Sequence, residues 1–373
     1  MNKREGDMAI LDIPKNPDAL SAEWLTAALQ SGGAGNARVA SFEYEPIAAG
    51  VGFLGKLGRL RLRYGDDDKA LPRTLIVKQP TPDEKSRQLA MMFRFYEREV
   101  CFYRDIGSAA GIRVPTMHFG AADPKSGDFV MLMEDLAPAR LGDQLAGCSA
   151  EDARSAVGAL ARCHALWWRN PQLESFAWLP ATNDPINHFA QFAYQGCWEP
   201  FVQFVGDKMT PALRRTGEAL ATNVIRMLDG FLERPNTLVH GDYRADNLFF
   251  GGAGQGSPAL AAVDWQVSSR GAGAFDLAYF LSGNVSTEVR RSIEMDLLKH
   301  YTDILRENDV REYGLEPCLE DYRFGVLFCL LYSVIVIGTL DPTNARGVAV
   351  FHANFERVAA AITDLDAGAM MPR

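Results

Sequence analysis

The segment Leu238-Val-His240-Gly241-Asp242-Tyr-Arg244-Ala-Asp246-Asn247-Leu-Phe-Phe250 constrains this chain more than any other. An Asp and an Asn stand five positions apart, directly after His-Gly. Seventeen residues beyond Asn247, past a Gly-rich stretch, an apolar run ends in Val263-Asp264-Trp265. The apolar flanks Leu238-Val239 and Leu248 to Phe250 read as short strands, so the loop between them is fixed at both ends. A lone Asp-x4-Asn is most often a hairpin turn. With His-Gly before it and an apolar-apolar-Asp strand after it, the pattern suits phosphoryl transfer. One carboxylate accepts the proton of an attacking hydroxyl; an amide oxygen and a second carboxylate hold magnesium on nucleotide phosphates.

His-Gly-Asp-x4-Asn followed by a Val-Asp-Trp strand resembles the aminoglycoside phosphotransferase and choline kinase-like superfamily. These are small-molecule kinases with the protein-kinase fold, in which His-Gly-Asp stands where protein kinases carry His-Arg-Asp. The variant Asp242-x-Arg244-x-Asp246-Asn247 and the hinge-like Glu134-Asp135-Leu136 look most like the bacterial branch related to ecdysteroid kinases. The resemblance runs from about Ala48 to Phe280. It implies an α+β, bilobal protein-kinase-like fold: a small lobe with a five-stranded antiparallel sheet and a helix, then a large, mainly helical lobe. It also implies Asp242 as catalytic base, and Asn247 and Asp264 as magnesium ligands. ATP and Mg2+ are the implied cofactors, and the implied reaction is direct in-line transfer to a hydroxyl of a small-molecule acceptor. Trp265-Gln266 replaces the Phe-Gly of protein kinases, so a protein-kinase-type flip of this segment is not implied. A kinase-fold protein that holds nucleotide without turnover is the competing expectation, and it sits poorly with a complete catalytic set.

The order of elements along the chain fits the same expectation. Residues 1–36 are an N-terminal extension, with a helix from Leu20 to Gln30 capped by Ser21. Residues 37–134 form the small nucleotide-binding lobe and 135–373 the helical catalytic and substrate lobe. Val39 to Tyr44, Leu57 to Tyr64, Leu75 to Lys78, Met117 to Gly120 and Asp128 to Glu134 read as strands, the second alternating apolar and basic residues with period two. Asp83 to Ile106 reads as one helix, as do Ser149 to Asn170, Pro211 to Leu232, Glu288 to Arg306 and Glu320 to Leu340.

Gly50-Val-Gly52-Phe-Leu-Gly55 is a G-x-G-x-x-G, a weak motif when alone. A dinucleotide-binding version needs a helix at the third glycine. An alternating strand follows here, which fits a hairpin over phosphates, where glycine lets backbone amides approach. Lys78 ends the next strand and in this reading reaches the α- and β-phosphates. It needs a carboxylate to orient it: Glu99, ahead of Phe102-Tyr103, or Glu97 within one helical turn. Phe129 to Met133 runs into the hinge, where the Glu134 carbonyl and the Leu136 amide would meet the adenine edge.

His240 reads as a loop-fixing residue bonded through its ring N–H, because Asp242 fills the role of base. Arg244 either touches the γ-phosphate or pairs with Asp246. Asp276 resembles the family's Gly-x-x-x-x-Asp-Leu-Ala carboxylate that braces the catalytic loop. His164, on an apolar helical face, reads as a hydrogen-bonded core histidine. Trp167, Trp168, Tyr194 and Trp198 read as core or as an acceptor wall, and Pro200 interrupts the aromatic segment from Asn187 to Val205.

A formal net charge of −9 argues against a nucleic-acid surface, which needs clustered Lys and Arg. The six cysteines (101, 148, 163, 197, 318 and 329) include no Cys-x2-Cys, so neither zinc nor a redox motif is expected. No apolar stretch follows Met1 to Asp7, so no signal peptide is expected and the expected location is cytoplasmic. Phe324 to Leu340 is the one segment to weigh as a membrane span; Arg323 and Asp341 bracket it, and it reads as a buried helix with no membrane partner.

Overall fold

The computed structural model describes residues 11–47, 55–65, 70–251, 260–338 and 340–372. They fall into two compact units, Met1–Gly107 with Pro115–Leu136, and Ser108–Val114 with Ala137–Arg373. In chain order the first contains α1 (Ala22–Ser31), β1 (Val39–Pro46), β2 (Gly55–Tyr64), β3 (Thr74–Pro80), α2 (Glu84–Met92), α3 (Phe95–Asp105), β4 (Met117–Asp123) and β5 (Asp128–Glu134). Its five strands pair antiparallel throughout, in the order β1-β2-β3-β5-β4.

The alternation in β2 decides which face of the sheet is covered. Leu60 and Leu62 are buried, while Arg61 and Arg63 face solvent and pair with Glu45 and Glu43 of the neighbouring strand. Leu75, Val77, Val130 and Leu132 extend the apolar face, and Leu25, Ala28 and Leu29 of α1 pack on it. α1 begins where Ser21 accepts the Trp24 N–H at 3.1 Å, so the N-terminal helix is part of the core of this unit.

The single helix expected from Asp83 to Ile106 is two. Arg94 sits between them at φ +56°, in the left-handed region. α2 buries only Ala90, whereas α3 buries Tyr96, Glu99, Val100, Phe102 and Tyr103 among others. One straight helix could not serve both environments, and the break turns the second onto the sheet.

The second unit contains β6 (Arg140–Leu141), α4 (Ala150–Leu166), α5 (Gln172–Ser175), α6 (Phe189–Val205), α7 (Pro211–Leu220), α8 (Val224–Leu232), β7 (Asn236–Val239), β8 (Leu248–Phe250), β9 (Leu260–Ala262), β10 (Ser269–Ala272), α9 (Ala274–Asn284), α10 (Thr287–Glu307), α11 (Leu315–Ile335) and α12 (Ala345–Asp364). Residues 211–232 again form two helices rather than one, and Pro200 lies within a continuous α6. The strands form two small sheets, β10-β7 and β6-β8-β9. Leu315–Gly338 is long and apolar enough to cross a bilayer, and an 18-residue window within it has a mean hydropathy of 1.6. In this fold 67% of that window is buried, and α11 is packed by α6, α9, α10 and α12.

Candidate active site

The segment between β7 and β8 carries His240, Asp242, Arg244, Asp246 and Asn247, and β9 leads into Asp264. Asp276, fully buried on α9, holds the start of the loop: Oδ2 accepts the His240 N–H at 2.7 Å and Oδ1 the Gly241 N–H at 2.9 Å. His164 reaches the same carboxylate through Nε2 at 3.4 Å, and its Nδ1 meets the Tyr301 hydroxyl at 2.9 Å. The His240 ring then links the loop to β9. Nδ1 accepts the Asp242 N–H at 3.2 Å, so the ring hydrogen lies on Nε2, which donates to Val263 O at 3.0 Å. Trp265, buried, packs on that ring with centroids 4.4 Å apart.

Asp242 is the convergence point. Its Oδ1 accepts from the Tyr279 hydroxyl at 2.9 Å. Its Oδ2 accepts from Asn247 Nδ2 at 2.9 Å and Arg244 Nε at 3.1 Å. Asn247 Nδ2 also donates to Asp242 O at 2.9 Å. Both amide hydrogens therefore go to Asp242; Oδ1 is turned away and, among the described residues, takes no hydrogen bond. Asp264 stands at φ +66°, a strained position for a residue other than glycine and one that concentrates at functional sites. Arg244 also reaches Gln144 Oε1 at 3.3 Å and Asp246 Oδ2 at 3.5 Å. Burial acts to lower the Arg244 pKa, but the charge of Asp242, with Tyr279, Asp246 and Asp264, outweighs it and the net shift is upward. Burial, then the Asp242 charge, raises the Tyr279 phenol well above its ordinary value, so it stays a donor.

This donor set fits a hard divalent cation. Among the described residues no three His, Cys, Asp or Glu side chains form a metal cage. Magnesium needs none: one or two protein oxygens beside phosphates and water suffice. Asn247 Oδ1 and the Asp264 carboxylate supply oxygens of that kind.

In the first unit Lys78 Nζ lies 2.8 Å from Glu99 Oε1, and both side chains are buried. Glu97 instead faces Arg94 at 2.7 Å on the surface. Gly55 makes room for Lys78, since a Cβ there would stand 3.0 Å from Lys78 Cε. Gly50 and Gly52 lie outside the described residues. Glu134 ends β5, its Oε2 accepting the Thr116 N–H at 3.0 Å, and Leu136 is the last residue of this unit.

Of the two readings open for the aromatics, core packing describes three of the four. Trp167, Tyr194 and Trp198 are buried, the last two stacked 5.6 Å apart, and Trp168 donates to Glu312 at 3.1 Å. Tyr279, which bonds Asp242, is half-buried, and its ring centroid lies 5.4 Å from that of the half-buried Tyr332. Neither had a signal of its own: Tyr279 lies three residues past Asp276 and Tyr332 within an unbroken apolar run. Arg346 and Arg357 of α12 were equally silent. Arg346 pairs with Asp143 at 3.1 Å and Asp246 at 3.5 Å, and Arg357 donates to the carbonyls of Gln144, Leu145 and Gly283.

The sheet unit, the helical unit and this constellation define a small-molecule kinase of the protein-kinase-like fold. The chain belongs to the ecdysteroid kinase-like family, whose model matches residues 49–312. Its fold is similar to that of a putative aminoglycoside phosphotransferase from Ralstonia eutropha (16% identity, 93% of this chain and 99% of that one, TM-score 0.52). It is also similar to a choline kinase from Cryptosporidium parvum (9% identity, 93% and 98%, TM-score 0.55). A third similar structure is an amicoumacin kinase in complex with AMP-PNP, Ca2+ and Ami (14% identity, 87% and 90%, TM-score 0.50). No curated protein sequence matches this chain significantly.

Proposed function

We propose that the chain transfers the γ-phosphoryl group of ATP, with magnesium, to a hydroxyl of a small-molecule acceptor. The observation that carries this is the Asp242 carboxylate, held by Tyr279 on one oxygen and by Asn247 and Arg244 on the other. Asp242 Oδ1 takes the proton of the acceptor hydroxyl as its oxygen bonds to phosphorus and the bond to the departing ADP oxygen breaks. Magnesium, when bound, neutralises charge on the phosphates, and Asn247 Oδ1 and Asp264 are the residues to hold it. Lys78, oriented by Glu99, binds the α- and β-phosphates. Gly50, Gly52 and Gly55 cover the phosphates, and the Glu134 carbonyl and Leu136 amide take the adenine edge. The AMP-PNP and calcium of the amicoumacin kinase complex lend support to a nucleotide and a divalent ion.

The acceptor is a small, uncharged or modestly polar alcohol. Tyr279 beside the base, with Tyr332 against its ring, offers apolar surface that suits an apolar body carrying one hydroxyl. The neighbouring carboxylate Asp246 is already matched by Arg244 and Arg346, and a polycation would want carboxylates to replace its lost hydration. The test is ADP formation with magnesium and ATP across hydrophobic alcohols and kanamycin-like polyamines. Turnover with the alcohols is expected; preference for the polyamines would make an antibiotic-type kinase the better assignment.

A further inference from the structure

A cavity of about 460 Å³ opens in the second unit, and its lining shares no residue with the set around Asp242. Its polar wall is rich in nitrogen donors, three guanidinium groups and an imidazole. Arg154 and Arg162 come from α4, His300 from α10 and Arg113 from the 108–114 segment, against the single carboxylate of Glu151. Arg154 and Arg162 lie two turns apart on one face of α4, and both are exposed. Neither makes a hydrogen bond or an ion pair among the described residues. By contrast, Arg140 of the same unit is matched by Asp152 and Arg290 by Glu294.

The donors also converge. A Cβ built on Gly158 would stand 3.2 Å from His300 Nε2 and 3.6 Å from Arg162 Nη1, so both reach over one backbone position that glycine leaves open. Burial lowers the His300 pKa, and the charges of Arg154 and Arg162 lower it further, against Asp303 and Glu307. The imidazole therefore feels both guanidinium groups. Gathering like charge around one hollow is unfavourable, and in a chain of net charge −9 the overall balance does not explain it.

We infer that this cavity binds a small, multiply charged anion of the phosphate-ester class. The donors stand on three separate segments. A tetrahedral dianion presents oxygens in several directions and can be gripped from all of them, whereas a planar carboxylate is satisfied by one guanidinium fork. The volume lies within the range of small-molecule sites, enough for a phosphate and a small organic body. The inference does not rest on the proposed kinase reaction.

The experiment is calorimetric titration of the full chain with inorganic phosphate, without nucleotide or magnesium, at ionic strength held constant with chloride. One saturable site is expected, and at least about tenfold weaker binding in Arg154→Ser/Arg162→Ser, since each lost charge-assisted bond is worth that much. Both positions are exposed, so this variant should fold and keep its ADP-forming activity. In the wild type, phosphate should also slow phenylglyoxal modification of Arg154 and Arg162, read by mass spectrometry. The assignment is overturned if phosphate behaves like chloride, if the double variant binds it undiminished, or if neither arginine is protected.

Discussion

The Tyr279 hydroxyl donates to Asp242 Oδ1 at 2.9 Å, the oxygen that Asn247 and Arg244 leave to it. The carboxylate is thereby fixed in rotation from both sides. Tyr279→Phe removes one bond to a charged group, worth roughly 1.5–3 kcal/mol. Turnover should fall by about tenfold to a hundredfold, with nucleotide affinity little changed, in steady-state kinetics and nucleotide titration. A loss confined to nucleotide binding would show that Tyr279 does something else.

Asp242→Asn keeps the shape of the side chain and removes the proton acceptor. Turnover should drop by roughly 10² to 10⁴ while ATP still binds. Near-normal ADP formation would remove Asp242 from the role of base.

Lys78 and Glu99 form a buried pair, so deleting either partner strands a charge at about 3–5 kcal/mol. The losses from Lys78→Met and Glu99→Gln should be strongly non-additive in a double-mutant cycle read by chemical denaturation. Glu97→Ala should change stability by no more than about 0.5–1 kcal/mol, because its pair with Arg94 lies at the surface. Coupling of Lys78 to Glu97 instead would contradict this pairing.

ATP with magnesium should stabilise the wild type by about 2.7 kcal/mol at a hundredfold excess over the dissociation constant. Asp264→Ala should lose most of the magnesium-dependent part. A thermal shift of the same size in EDTA would count against Asn247 and Asp264 as metal ligands.

Arg357 is buried and donates to the carbonyls of Gln144, Leu145 and Gly283 at 2.6, 2.9 and 3.2 Å. Arg357→Ala would leave those oxygens without their donor, at a cost of roughly 2–4 kcal/mol in denaturant unfolding. Turnover should fall too, since the Gln144 N–H holds Asp246 Oδ1 at 2.8 Å.

What was legible in the sequence was local or periodic. The alternation of Leu60, Arg61, Leu62 and Arg63 declared β2 and its buried face, and Ser21 declared the start of α1. The spacing of His240, Asp242 and Asn247 declared the loop, because a short loop between two strands brings those residues together by chain geometry alone, and Asp264 follows β9, which pairs with β8. The breaks at Arg94 and at residues 221–223 were not legible, since a helix that changes its buried face over one turn keeps nearly the same periodicity.

The bonds around Asp242 divide the same way. Those from Asn247 and Arg244 span five and two residues, and the sequence by itself brought them into reach. The bonds from Tyr279 to Asp242, from Arg346 to Asp246 and from Arg357 to the 144–145 carbonyls span 37 to 213 residues. Only the packing of α9 and α12 against one another and α11 could select those partners. The same is true of the basic cavity, where residues 113, 162 and 300 meet although no motif joins them. A tyrosine or arginine in an amphipathic helix carries no mark of what it will face, because the partner is decided when the helices dock.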